Sequence, residues 1–116
     1  MKTFQIDPLP PPAKLKLVLK GDVKRIWGSK GGIYKLQPTL VNNYPHWNQK
    51  SKSNSLWLVN GQWYVGMTSN LGKRISAISG PICDDDWPHN LCGNWRHAVK
   101  HDMIDSGEDV VFEEVI

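Results

Sequence analysis

The chain has 116 residues, 40% hydrophobic and 22% charged, with 10 Gly and 8 Pro. That length suits one domain with a real core, because ordinary domains run to roughly 100–150 residues. The composition excludes collagen-like and coiled-coil classes, and its aromatic and β-branched content argues against wholesale disorder.

Six tryptophans (Trp27, Trp47, Trp57, Trp63, Trp87, Trp95) stand beside only three Tyr and two Phe. Each indole hides on the order of 200 Å², so a small domain built around them gains much of its core from a few residues. Charge is segregated along the chain. Residues 1–60 carry ten Lys/Arg against two Asp, and residues 61–116 carry four against nine Asp/Glu. A basic first half raises the prospect of an anionic partner, nucleic acid included.

The chain opens with Met1-Lys2-Thr3-Phe4-Gln5-Ile6-Asp7, followed by prolines 8, 10, 11 and 12. It has no apolar run of the length a secretory signal or a membrane span needs, which makes the cytoplasm the default expectation. The prolines predict an extended arm over residues 1–13, leaving 14–116 as a single Trp-rich β domain.

Lys14-Leu15-Lys16-Leu17-Val18-Leu19-Lys20 alternates leucines with mostly basic residues, the period of a half-buried strand, and Gly21-Asp22 reads as its closing turn. Gly28–Gly32 reads as a loop. Ile33–Leu36 follows as a strand stopped by Pro38, a further apolar segment lies at 39–41, and Asn42-Asn43-Tyr44-Pro45 forms a turn cluster. Residues 48–55 are polar throughout and predict a loop. Gly31-x-x-Tyr34, Pro45-x-Trp47 and Leu56-Trp57…Asn60-Gly61-x-Trp63 give the chain the rhythm of a small Trp-rich β module.

The strongest local pattern is Leu56-Trp57-Leu58-Val59-Asn60-Gly61-Gln62-Trp63-Tyr64-Val65-Gly66. Asn-Gly between two apolar, β-prone runs specifies a two-residue type I′ hairpin, since both turn residues need positive φ. The turn sets Val59 against Gln62, Leu58 against Trp63, Trp57 against Tyr64, and Leu56 against Val65. Leu56, Leu58, Trp63 and Val65 then form an apolar core face. Trp57, Val59, Gln62 and Tyr64 form the other face, exposed as a ligand platform or packed inside a sandwich.

Further on, Ile75–Ile78 predicts a short strand ended by Gly80-Pro81, and 82–94 a long loop containing Asp84-Asp85-Asp86. Three adjacent carboxylates lack the alternating ligands and glycine of a calcium loop. Residues 95–104 fit either a short helix capped by Asn94 or a strand. Asp109–Ile116 reads as a closing strand. The expected fold is therefore all-β and mainly antiparallel. It is a small sandwich or barrel of five to six short strands with long loops, and at most one short helix near 95–104.

Cys83 and Cys92 are the only cysteines, with eight residues between them. An oxidised pair would tie that loop down by about 2–3 kcal/mol on the chain-entropy model, whereas reduced cysteines act as small apolar residues. Cys83, Cys92, His97 and His101 also offer a zinc-type donor set, since His-x-x-x-His aims two rings to one side of a helix. The cysteine spacing is too wide for a zinc knuckle, so no metal or cofactor is expected. Nucleophile-elbow, Walker and Rossmann patterns are all missing, and Glu113 and Glu114 point to opposite faces of a strand. The chain thus reads as a non-catalytic module binding a peptide, partner protein or glycan. Trp47, Trp57, Tyr64 and Gln62 are the candidate ligand residues. The alternatives are a basic β-barrel binding nucleic acid through Lys14, Lys16, Lys20 and Arg25, or a small zinc-stabilised domain.

Overall fold

A computed structural model describes residues 10–82 and 86–116. Among these residues, nine antiparallel strands make up one sheet: β1 (Lys14–Leu19), β2 (Gly32–Val41), β3 (Tyr44–Gln49), β4 (Asn54–Val59), β5 (Gln62–Met67), β6 (Ile78–Ile82), β7 (Arg96–Val99), β8 (Asp102–Asp105) and β9 (Val110–Glu114). The order is β8-β7-β6-β5-β4-β3-β2-β1-β9, a meander whose last strand returns beside the first. The sheet curls into a half-barrel. One short helix, α1 (Gly21–Trp27), connects β1 to β2.

The all-β, antiparallel expectation holds, but five to six strands is too few. Two of the missed stretches share a cause. β2 runs through Pro38 and β6 through Gly80-Pro81, and in each case the register with a neighbour shifts at the proline, between Leu36 and Leu40 and between Gln62 and Tyr64. A bulge accommodates a residue that cannot donate to the ladder, so the strand continues past it. The expected strand at 75–78 is displaced accordingly to Ile78–Ile82. The polar stretch 48–55 supplies the end of β3 and the start of β4 around a short 3₁₀ turn.

No helix forms at 95–104. Those residues make β7 and β8, joined by a two-residue turn in which Lys100 has φ 56°. The helix lies instead at 21–27, where Val23 and Trp27 fall one turn apart on the side facing the sheet. Val23 is fully buried, and the Trp27 indole N–H donates to the Ala98 carbonyl of β7 at 2.8 Å.

The Asn60-Gly61 hairpin forms with the expected register, both turn residues having positive φ (48° and 77°). Leu56, Leu58, Trp63 and Val65 face the concave core with Leu15, Leu17, Tyr34, Ile78 and Phe112. Within it Trp47, Trp63 and Trp87 form an aromatic cluster, with centroids 5.5 to 6.4 Å apart. The proline arm is docked where it meets the domain. Pro12 is buried, its carbonyl accepts the Trp47 indole N–H at 2.8 Å, and the Ala13 carbonyl accepts the Leu36 amide.

Candidate functional site

The aromatic face expected to meet a ligand is not on the surface. Trp47 and Trp57 are 0% exposed and Tyr64 is 9% exposed. Trp47 belongs to the core. Trp57, Val59 and Tyr64 build a second, smaller cluster on the convex side with Val41 and Leu71. The segment between β5 and β6 folds back over that side. The Trp57 indole donates to the Lys73 carbonyl at 2.9 Å, and the Asn42 amide reaches both the Leu58 and Gly72 carbonyls. The hairpin is thus buried on both faces, the concave one by the core and the convex one by the chain's own loop, not by a second sheet.

Gln62 is partly exposed, and its amide donates to the Gly80 carbonyl. It borders a shallow polar groove of about 400 Å³ with Asn94, Arg96 and Asp105. The charges there are matched. Arg96 stands directly opposite Asp105, whose carboxyl is held below its usual range by the Gly107 amide, by Asn94 and by Arg96.

The proposed zinc donors are not assembled by a helix. His97 lies in β7, buried, with Nδ1 2.8 Å from the Ser106 hydroxyl, while His101 is exposed in the following turn. Cys92 is exposed, and Cys83 lies outside the described residues together with Asp84 and Asp85. The pairing of Cys83 with Cys92 therefore falls outside the structure. Among the described residues, no three His, Cys, Asp or Glu side chains gather as a metal site. Nor is any described helix long and apolar enough to cross a membrane.

A different site emerges at the end of the half-barrel beneath α1. Leu58, Leu56 and Asn54 occupy alternate positions of β4, so the inward face that begins as leucine ends as an amide. On β3 the same parity carries Trp47 and then Gln49. Into this polar end reaches Lys30, the last residue of the 3₁₀ turn after α1, only 7% exposed. Its ammonium donates to Asn54 Oδ1 at 2.7 Å and lies 6.0 Å from the Trp27 ring centroid. Asn54 is itself fixed, donating to the Ser29 carbonyl at 3.0 Å and to Gln49 Oε1 at 2.9 Å, while Gln49 donates to the Gly31 carbonyl. Tyr34 donates to the carbonyl of Lys30 at 2.6 Å.

Lys30 has no carboxylate within ion-pair distance among the described residues. Burial pushes its ammonium below the usual lysine value. Beside it opens a cleft of about 190 Å³, lined by Trp27, Met67, Ile75 and Ala77 among others, with Met67 and Ile75 55% and 57% exposed. An apolar cleft with one buried, unmatched cation suits an anionic group carried on an apolar stem.

Sequence reasoning missed this site because Lys30 stands in a Gly- and Ser-rich loop with no spacing to single it out. One signal was present. Extending the hairpin's inward parity from Leu58 and Leu56 places Asn54 inside, and a buried amide there calls for a polar partner. No protein-family model matches the chain, and no curated protein or solved structure matches it either.

Proposed function

We propose that the chain is a non-catalytic binding module whose half-barrel end receives a carboxylate-bearing side chain from a peptide or partner protein. The observation that carries this reading is Lys30, a cation buried at an apolar cleft and answered by an amide in place of a carboxylate. A buried ammonium is costly, and a carboxylate brought by a ligand would offset that cost. The cleft's 190 Å³ is below the roughly 300–1,000 Å³ of sites that engulf whole small molecules. It suits one protruding side chain, with exposed Met67 and Ile75 supplying apolar contact at the rim.

The test is an NMR titration with an acetylated, amidated leucine–glutamate–leucine peptide and its glutamine counterpart. The glutamate peptide should shift the amides of Met67, Ser76 and Ala77 and the Trp27 indole. The glutamine peptide should bind at least about tenfold more weakly, the loss of about 1.4 kcal/mol from one charge-assisted hydrogen bond. Equal binding of the two peptides, or no shift at those positions with either, would overturn the proposal.

A further inference from the structure

The convex face of β1, β2 and β3 carries an independent site. Lys14 on β1 stands directly opposite Lys35 on β2, both exposed, and Lys16 is the next residue of β1 on the same side. Cross-strand partners lie only about 4.5–5.5 Å apart at Cα, and like charges so placed destabilise a sheet. Further along the row, Lys35 borders a concavity of about 410 Å³ shared with Lys52, Asn48, Ser51 and Ile33. Among the described residues, none of Lys14, Lys16, Lys35 and Lys52 has a carboxylate within ion-pair distance. Glu113 of β9 faces Lys16 in register, while Glu114, the other acidic residue in these pairings, stands opposite Leu15. This face is therefore a field of cations that the fold itself leaves largely uncompensated.

We infer that this face binds a linear sulfated polysaccharide. Lys14, Lys16 and Lys35 occupy neighbouring positions of the sheet, where strand spacing and residue rise put their Cα atoms roughly 5–7 Å apart, Lys52 follows on the 3₁₀ turn after β3, and lysine acts as a flexible point charge toward anionic oxygens. Asn48 and Ser51 add hydrogen-bonding groups suited to sugar hydroxyls. A nucleic acid fits this surface less well. No aromatic ring lines the concavity to stack unpaired bases, and the broad flank of a sheet does not enter a duplex groove as a helix or two-stranded ribbon does. The four basic residues that point to nucleic acid in the sequence are also not one surface. Lys14 and Lys16 share this face, but Arg25 lies on α1, ion-paired with Asp22 at 3.3 Å. The inference does not depend on the Lys30 cleft.

The experiment measures affinity for a heparin-derived hexasaccharide, its desulfated form, and single-stranded and duplex DNA of matched charge, each across a salt series. The triple variant Lys14→Gln, Lys35→Gln, Lys52→Gln is compared with Lys24→Gln, Lys73→Gln, Arg74→Gln, which removes the same charge from exposed positions outside this row. Thermal melts establish that both are folded. The first triple should lose at least about tenfold in affinity, and its slope of log affinity against log salt should fall by roughly one for each ammonium removed. The second triple should change affinity by less than about threefold. Equal losses in both triples would reduce the effect to net charge and overturn the inference. So would DNA binding as tightly as the hexasaccharide, retained binding of the desulfated sugar, or no hexasaccharide binding at all.

Discussion

The ring of Trp95 lies 4.9 Å, centroid to centroid, from that of Phe112, although Trp95 leads into β7 and Phe112 belongs to β9, toward opposite ends of the sheet. β8 and β9 do not pair. The gap between the two ends is bridged instead by this ring contact, while the Ser106 amide donating to the Trp95 carbonyl at 2.8 Å and the contact of His97 with the Ser106 hydroxyl brace the β7–β8 end from which Trp95 reaches across. Curvature of the half-barrel therefore depends on side chains as well as on ladder hydrogen bonds.

Trp95→Ala should cost about 3–5 kcal/mol, because it removes a buried indole and opens the seam at once. Denaturant unfolding followed through the remaining tryptophans measures this. A loss below about 1 kcal/mol would mean that the seam is held by the backbone alone.

Two substitutions in the polar end of the half-barrel should behave oppositely. Asn54→Ala strips the acceptor from the Lys30 ammonium and a donor from the Ser29 and Gln49 oxygens, so each buried group left behind costs about 1–3 kcal/mol. Lys30→Met removes the buried charge while keeping the apolar stem, and leaves only Asn54 Oδ1 short of a donor. Its stability should stay within about 1 kcal/mol of the parent while carboxylate binding disappears. Paired denaturant melts and peptide titrations read both outcomes. If Lys30→Met proved the more destabilising of the two, the ammonium would be a net stabiliser and not a reserve for a ligand.

Acid should weaken the fold through His46. This side chain is buried in β3, its Nδ1 lacks a hydrogen-bond partner among the described residues, and burial lowers its pKa from 6.5, opposed by a backbone hydrogen bond with Thr39. With the folded value depressed, the unfolded chain takes up the proton first as pH falls. Stability is then fully present above about 6.5 and lost below it. Melting temperatures should fall between about pH 7.5 and about pH 5.5, and His46→Gln should flatten that fall. Parallel profiles for parent and variant would place the acid sensitivity elsewhere.

The sequence is most legible where local chemistry dictates geometry. Asn60-Gly61 specifies both a turn and a register, and from the register follows the placing of Leu56, Leu58, Trp63 and Val65 in the core. Asn42-Asn43 works in the same way, with φ of 54° and 69° between the paired residues Val41 and Tyr44. Legibility fails where the outcome rests on distant partners. Pro38 and Pro81 punctuate a strand only if the neighbouring strand cannot bulge, which no local pattern reveals. Trp57 and Tyr64 fit either an exposed platform or a sandwich interior in sequence, because nothing local shows the later segment returning to cover them. His97-x-x-x-His101 has helical spacing, yet the pairing of Val99 with Asp102 overrides it. The Lys30 site combines all of these difficulties, since its residues come from a turn, a helix and four strands.

The return of β9 to β1 has a consequence for how the fold assembles. Every other pairing in the sheet joins strands that follow one another in the chain, so the meander can grow hairpin by hairpin. The β1–β9 ladder joins Lys16 to Glu113 and Leu17 to Phe112, across nearly the whole sequence, and no shorter loop leads to it. Such a contact has a high entropic cost of closure and forms late. Until it does, β1 presents an unpaired edge with Leu15, Leu17 and Leu19 beside it, a template for the β9 of another molecule as readily as its own. At high concentration during refolding, exchange of the final strand between two chains is thus the characteristic error of this topology.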